Sequence, residues 1–200
     1  MATSETPHAS AQHPVLGTPL DLIPTEDQEL IFLAAGCFWG VERILWQTPG
    51  VLATATGYMG GHTESPTYVQ VCTGTTGHAE AVRVVYDPKV LPTKSLLATF
   101  FENHNPTQRN RQGNDQGTQY RGAIWTTNEE QYEDALAVRD TYQQTLSAGH
   151  HGQIVTQIHR PPAPIFHYAE DYHQAYLYKN PSGYCNHGFN GVACPRPQTL

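Results

Sequence analysis

Residues 30–40 read Leu30-Ile31-Phe32-Leu33-Ala34-Ala35-Gly36-Cys37-Phe38-Trp39-Gly40, and their reading decides the fold. The apolar run over 30–35, closed by Gly36, has the length and flank of a buried strand. Beyond it Val41, Ile44 and Leu45 recur at helical spacing until Pro49-Gly50 stops the pattern. A strand, a tight turn and a helix therefore follow one another directly.

Outward from this unit, residues 51–58 read as a second strand. A loop of turn residues over 60–77 follows, with one helical turn around 68–72, and then a third strand over 79–86 that Asp87-Pro88 ends. Thr93 is expected to cap a helix whose Leu97, Phe100, Phe101 and His104 share a face, His104 doing no more than satisfying a backbone group at its end. A polar loop over 105–119 leads to a fourth strand at about 121–126. Asn128 with Gln131 resembles a capping box for a long helix with a stripe of Tyr132, Ala135, Leu136, Tyr142 and Leu146, and a last short helix covers about 170–178. The order βαββαβ over 30–126 predicts an α+β chain, a ferredoxin-like two-layer sandwich with added helices and a long irregular C-terminal tail. Three segments are expected: a weakly ordered extension over 1–29, the main domain over 30–178, and a flexible tail over 179–200.

Two hundred residues suit one domain. Eleven Lys and Arg against eighteen Asp and Glu give a formal charge of -7, which repels phosphate backbones and anionic lipid headgroups, so no nucleic-acid or membrane partner is expected. The first Lys or Arg is Arg43, which leaves the N-terminus without the basic region of an export signal and implies a cytoplasmic protein. The longest apolar run falls far short of the roughly 20 residues that span a bilayer. Four cysteines in such a chain are read as reactive, metal-binding or buried rather than as a disulfide framework.

Cys37 falls where free backbone N–H groups and the helix dipole favour an anion, so its thiol is expected to ionise more readily than a free one; the other reading is a core cysteine. Phe38 and Trp39 wall a small apolar pocket beside the sulfur, or simply pack in the core. Strand alternation puts Glu80 with Val82, Val84 and Tyr86, opposite Arg83, so its carboxyl points into apolar surroundings that raise its pKa and suit it to give up a proton. A salt-bridged Glu at the sheet end is the alternative. Cys185 and Cys194, separated by Gly188 and Gly191, lie in a segment flexible enough to carry a thiol to another site, whereas Cys72 reads as structural in a short packed turn. Cys185, His187 and Cys194 with His150 or His151 offer four zinc ligands, but the spacing fits no ordinary finger or ribbon. The loop Thr73-Gly74-Thr75-Thr76-Gly77 lacks the Lys of a phosphate-cradling loop.

Gly36-Cys37-Phe38-Trp39-Gly40 resembles the signature of the A-type peptide-methionine sulfoxide reductases. So do Thr76-Gly77-His78-Ala79-Glu80-Ala81-Val82, Pro66-Thr67-Tyr68, and the run from Gly113 through Asn114-Asp115-Gln116-Gly117-Thr118-Gln119-Tyr120 to Arg121. The segment 183–194 is similar to the tail of family members with two recycling cysteines. The resemblance implies that Cys37 is the nucleophile, that Phe38 and Trp39 hold the methyl on the oxidised sulfur, and that Glu80 is the proton donor. It also implies that Tyr68 and Tyr120 bind the sulfoxide oxygen, that Asp115 orients the substrate, and that Cys185 and then Cys194 pass a disulfide outward to thioredoxin. By the same resemblance the substrate is methionine S-sulfoxide, free or in oxidised proteins, reduced through a cysteine sulfenic acid by a monomer without metal or other cofactor. One departure is Asn105, where the family usually has Asp. Against this stand a cysteine hydrolase built on Cys37 and a histidine base, which needs no reductant, and a binding domain that leaves its ligand oxidised.

Overall fold

The first strand, β1 (Glu29–Ala35), is buried on both faces from Ile31 onward, which is why its sequence is a continuous apolar run rather than an alternation. Ile31, Leu33 and Ala35 enter the main core, while Phe32 and Ala34 join a second cluster with Met59, Ala79, Ala81, Ala123 and Trp125. This is a computed structural model, and it describes residues 11–196. After β1 come α1 (Phe38–Trp46), β2 (Val51–Met59), the short α2 (Tyr68–Cys72), β3 (Ala79–Tyr86) and α3 (Thr93–Glu102). A two-residue hairpin, β4 (Arg111–Gln112) with β5 (Asp115–Gln116), and a 3-10 turn at Thr118–Tyr120 lead to β6 (Gly122–Trp125). The chain continues through α4 (Glu129–Ala148), β7 (Gln157–His159), β8 (Phe166–Tyr168) and α5 (Tyr176–Lys179).

The architecture is a mixed one, a central sheet with helices against it. The sheet has six strands in the order β7-β6-β1-β3-β2-β8, antiparallel throughout except for β6 with β7. The sequence reading located its four inner strands and missed β4, β5, β7 and β8. Each of these is only two or three residues long. Such segments carry no periodicity, and β7 and β8 exist because β6 and β2 offer edges to pair with. Helices α1, α3 and α4 cover one face through Val41, Leu45, Leu97, Phe101, Val138 and Tyr142. Among the described residues no helix is long and apolar enough to cross a membrane.

Several helix ends differ from the sequence reading. Pro92, not Thr93, is the N-cap of α3, and the Thr93 hydroxyl instead meets the buried Tyr86 hydroxyl at 2.8 Å. Asn128 does cap α4 by accepting the Gln131 N–H at 2.8 Å, but the reciprocal half of the box is missing. Gln131 turns inward and donates to Glu29 and the Leu30 carbonyl. The complete capping box is at α2, between Thr67 and Gln70. The last helix shrinks to Tyr176–Lys179, because Ala175 is left-handed at φ 49° and its N–H is taken by the buried Glu42 carboxylate at 2.9 Å. His104 donates Nδ1–H to the Phe100 carbonyl at 2.7 Å.

The described segments before β1 and after α5 are tied down by specific groups. Residues 1–10 of the expected extension and 197–200 of the expected tail lie outside the described residues. Of the remainder, His13 is buried 3.6 Å from Glu42, and Arg83 donates to the carbonyls of Leu20 and Leu22. Beyond Lys179 no helix or strand follows among the described residues, yet Asn190 donates Nδ2–H to the carbonyls of Phe101 and His104, at 2.9 and 2.6 Å, and accepts the Val192 N–H. Removing those bonds by Asn190→Ala is expected to cost about 1–3 kcal/mol in urea unfolding. It is also expected to raise the alkylation rate of Cys194 about tenfold, since this latch borders that thiol. An unchanged Cys194 reactivity would show that other contacts hold the tail.

Candidate active site

Cys37 sits at the junction that the sequence suggested, as the N-cap residue of α1. Gly36 before it has φ +101°, and a Cβ there would lie 2.5 Å from Gln112 Cβ, so the tight turn needs glycine on both counts. The thiol is buried, and burial above all pushes its pKa up, with the Glu80 carboxylate adding to the shift; the Trp39 and Gly40 N–H groups pull it down. The helix start therefore does favour the anion, as the sequence implied, but desolvation of the sulfur outweighs it. The expectation that Cys37 ionises readily is corrected: in this structure it holds its proton.

Glu80 lies on β3 directly across from Tyr58 of β2 and is 1% exposed. One carboxyl oxygen accepts the Phe38 N–H at 3.0 Å, which ties the strand to the first turn of α1. Burial pushes its pKa up to about 8, with the nearby Asp115 adding to the rise and the Phe38 N–H opposing it. At neutral pH the carboxyl is thus mostly protonated, at the same helix end that bears Cys37.

Aromatic rings line this end of the helix. Phe38 is 5.0 Å from His173 and 5.8 Å from Tyr58 between ring centroids, and Trp39 stacks on Tyr176 at 3.8 Å. Tyr68 meets His173 at 4.5 Å. Burial first, then the neighbouring Cys72 thiol, pushes the Tyr68 hydroxyl up. For Tyr120 it is burial, then the fields of Glu80 and Asp115, so both phenols hold their protons. Cys72, read as packed, is exposed.

Three members of this cluster escaped the sequence reading. Glu170 accepts the Tyr58 hydroxyl at 2.7 Å and the Tyr68 N–H at 2.8 Å, so one carboxylate ties two tyrosines together. His173 accepts the Trp39 indole N–H at 3.0 Å, and burial above all pushes its pKa down to about 4, which keeps it neutral and able to accept. The signal available was the polar and aromatic run Glu170-Asp171-Tyr172-His173, which read only as the start of a helix. Tyr58 read only as the end of a strand.

The tail approaches the same region. The Cys185 sulfur accepts a hydrogen bond from Arg43 at 3.1 Å, and Asp115 takes the Tyr184 hydroxyl at 3.1 Å and the Asn186 amide at 2.9 Å. Asp115, which the resemblance gave to substrate orientation, here clasps the tail on both sides of Cys185. Cys194 is seated elsewhere: it is buried in the main core, its N–H bonded to Glu102 at 2.8 Å, and burial pushes its thiol up to about 11. All four cysteines are free. Among the described residues no three His, Cys, Asp or Glu side chains are placed to hold a metal ion, and His187 commits Nε2 to the Ala35 carbonyl at 2.6 Å.

A buried thiol at a helix start, a carboxyl held neutral beside it, an aromatic wall and further free thiols on an irregular tail make up a cysteine-centred oxidoreductase site. A family model described as peptide methionine sulfoxide reductase matches residues 29–194, and the chain belongs to that family. It is accordingly an enzyme that reduces methionine sulfoxide. The chain is 55% identical over 185 residues to peptide methionine sulfoxide reductase MsrA of Rhodospirillum centenum, covering 92% of this chain and 84% of the relative. Among solved structures, methionine sulfoxide reductase A of Corynebacterium diphtheriae matches with a TM-score of 0.80 and 43% identity, covering 98% of this chain and 96% of that one. Mxr1 of Saccharomyces cerevisiae in reduced form matches with a TM-score of 0.77 and 34% identity, over 84% and 95%.

A carboxyl whose folded pKa is raised binds its proton more tightly in the native state, so its share of native stability is lost as pH climbs from its ordinary 4.5 through about 8. Glu80→Gln removes that loss. Urea midpoints followed across the window are expected to shift in favour of the variant towards the alkaline end. Parallel curves for the two proteins would mean that Glu80 titrates as an ordinary carboxyl.

Proposed function

We propose that the family reaction takes place at Cys37, with Glu80 as its proton donor. The observation that carries this reading is the Phe38 N–H bond to a neutral, buried Glu80, which puts a transferable proton at the helix end of the sulfur. A methionine sulfoxide side chain, free or in a protein, sets its methyl against Phe38 and Trp39 while Tyr68, Tyr120 and Glu80 face its oxygen. As the Cys37 sulfur attacks the sulfoxide sulfur, the oxygen gains a proton and negative charge on it is stabilised by the phenols. Two electrons pass to the substrate as its S–O bond breaks and an S–O bond forms at Cys37, and the thiol proton returns to the Glu80 carboxylate, so that methionine leaves and Cys37 is a sulfenic acid. The thiols supply the electrons, so the reaction calls for no cofactor or metal.

Selectivity for the S epimer follows from the chirality of the wall: exchanging methyl and oxygen sets a polar atom against Phe38 and Trp39. Cys185 then condenses with the sulfenic acid, Cys194 takes over the disulfide, and thioredoxin reduces it; Mxr1 has also been solved in complex with Trx2. The contact of Asp115 with Tyr184 and Asn186 favours a role in placing Cys185 alongside any in orienting the substrate. We further read residues 30–178 as the catalytic domain, with a ferredoxin-like core in the order β6-β1-β3-β2, and the protein as a cytoplasmic monomer that repairs oxidised proteins.

In single turnover followed by mass spectrometry, reduced enzyme is expected to convert the S epimer to methionine with oxidation at Cys37, and the R epimer poorly. Glu80→Gln keeps a donor but loses the transferable proton, and is expected to slow methionine formation by about 10²–10⁴. A variant as fast as wild type would remove Glu80 from the reaction, and full activity of Cys37→Ser would remove the whole reading. Cys194→Ser is expected to spare turnover with dithiothreitol more than with thioredoxin, because a small reductant reaches an inner disulfide that a protein cannot. Equal losses with both reductants would contradict the relay.

A further inference from the structure

The half-buried Arg43 lies on α1, outside the segments that carried the family resemblance, and among the described residues it has no carboxylate partner. Its side-chain hydrogen bond goes to sulfur: Nη2 donates to Cys185 Sγ at 3.1 Å. The sulfur rests on Gly40, where a Cβ would come within 2.9 Å of Sγ and 2.5 Å of His187 Nδ1. His187 Nε2 is fastened to the Ala35 carbonyl at 2.6 Å, and Asn186 donates to the Gln112 carbonyl and to Asp115, each at 2.9 Å. Residues 186 and 187 are therefore stapled to β1 and the β4–β5 hairpin, and the thiol beside them is pressed onto α1.

Helical spacing gives this seat its meaning. Gly40 is three residues beyond Cys37, the N-cap, and Arg43 three beyond Gly40, so each is a neighbour of the next along the helix surface, about 5–6 Å apart at Cβ. Cys185 Sγ thus lies against the residue one turn beyond Cys37 and is held there by the residue one turn further on. A guanidinium is permanently charged and donates in a fixed planar geometry, so it both localises a sulfur and stabilises negative charge that develops on it. We propose that Arg43 is a catalytic residue of the recycling step, holding Cys185 over the Gly40 gap and stabilising its sulfur as it attacks oxidised Cys37. This rests on the cysteine relay proposed above and assigns it a residue that the chemistry of Cys37 itself does not use.

The step balances without an outside reagent. The Cys185 sulfur bonds to the Cys37 sulfur as the Cys37 S–O bond breaks, and the departing hydroxyl takes the Cys185 proton and leaves as water. Cys185 is oxidised and the sulfenic sulfur is reduced, giving the Cys37–Cys185 disulfide. The same seat explains the glycine at position 40, since a side chain there displaces the sulfur from Arg43.

The test uses the full-length enzyme with Cys194→Ser, so that oxidation stops at the first disulfide. Reduced protein is mixed with methionine sulfoxide and quenched at intervals, and methionine, dimedone-trapped sulfenic acid and Cys37–Cys185 disulfide are quantified in each sample. Arg43→Met is expected to slow disulfide formation at least about tenfold relative to methionine formation in the same sample, with sulfenic acid accumulating, and Arg43→Lys to recover part of the rate. If Arg43→Met gives no folded protein, Arg43→Gln carries the same comparison. Disulfide formation at the parent rate in the variant would overturn the role of Arg43 while leaving the relay intact. Methionine formation with no Cys37–Cys185 disulfide in the parent itself would overturn the relay, and the inference with it.

Discussion

The bond from the Phe38 N–H to the Glu80 carboxyl is the constraint on which the site depends. Phe38 is the first residue of α1, and its N–H is one of the donors that a helix start cannot satisfy internally. Supplying the acceptor from β3 fixes where the helix begins and how it meets the sheet, and brings a carboxyl to the start of the helix that Cys37 caps. Burial has the same sense at both groups: it disfavours the charged form of Glu80 and of Cys37 alike. The resting site therefore holds both protons.

Around that constraint, buried and half-buried polar groups position rings that packing alone leaves free to shift. Glu170 joins Tyr58 and Tyr68, His173 holds the Trp39 indole, and the Gln174 amide pairs with both the N–H and the carbonyl of Thr56, extending the edge of β2. Glu42 reaches from α1 to Ala175 on one side and to His13 on the other, so the N-terminal segment and the segment before α5 meet on a single carboxylate. Glu42 and Gln174 are polar groups out of water with partners in place, costly to leave with one missing, whereas Glu170 is partly exposed and the buried His173 leaves Nε2 without a hydrogen-bond partner.

The two tail cysteines are held by opposite means. Cys185 is attached through hydrogen bonds of its neighbours and of its own sulfur, near the helix start. Cys194 is buried among apolar side chains behind the Asn190 latch. The first arrangement suits a thiol that acts where it sits. The second suits one that acts only after its segment has lifted, since a reductant of protein size needs the sulfur exposed.

Much of this was legible in the chain itself. The apolar run of β1, the period of α1, α3 and α4, the alternation that pointed Glu80 inward, and the glycine-flanked Cys37 are local patterns, and burial imposes local patterns directly on sequence. Tertiary structure alone decided that desolvation outweighs the helix start at Cys37, that Glu170 and His173 belong to the site, and that Asp115 grips the tail. It also decided that three-residue edge strands form, and that Arg43 reaches Cys185 across 142 residues of chain. A pKa, a hydrogen bond and a short strand each depend on groups brought together from far apart, and periodicity along the chain carries no record of distance through space.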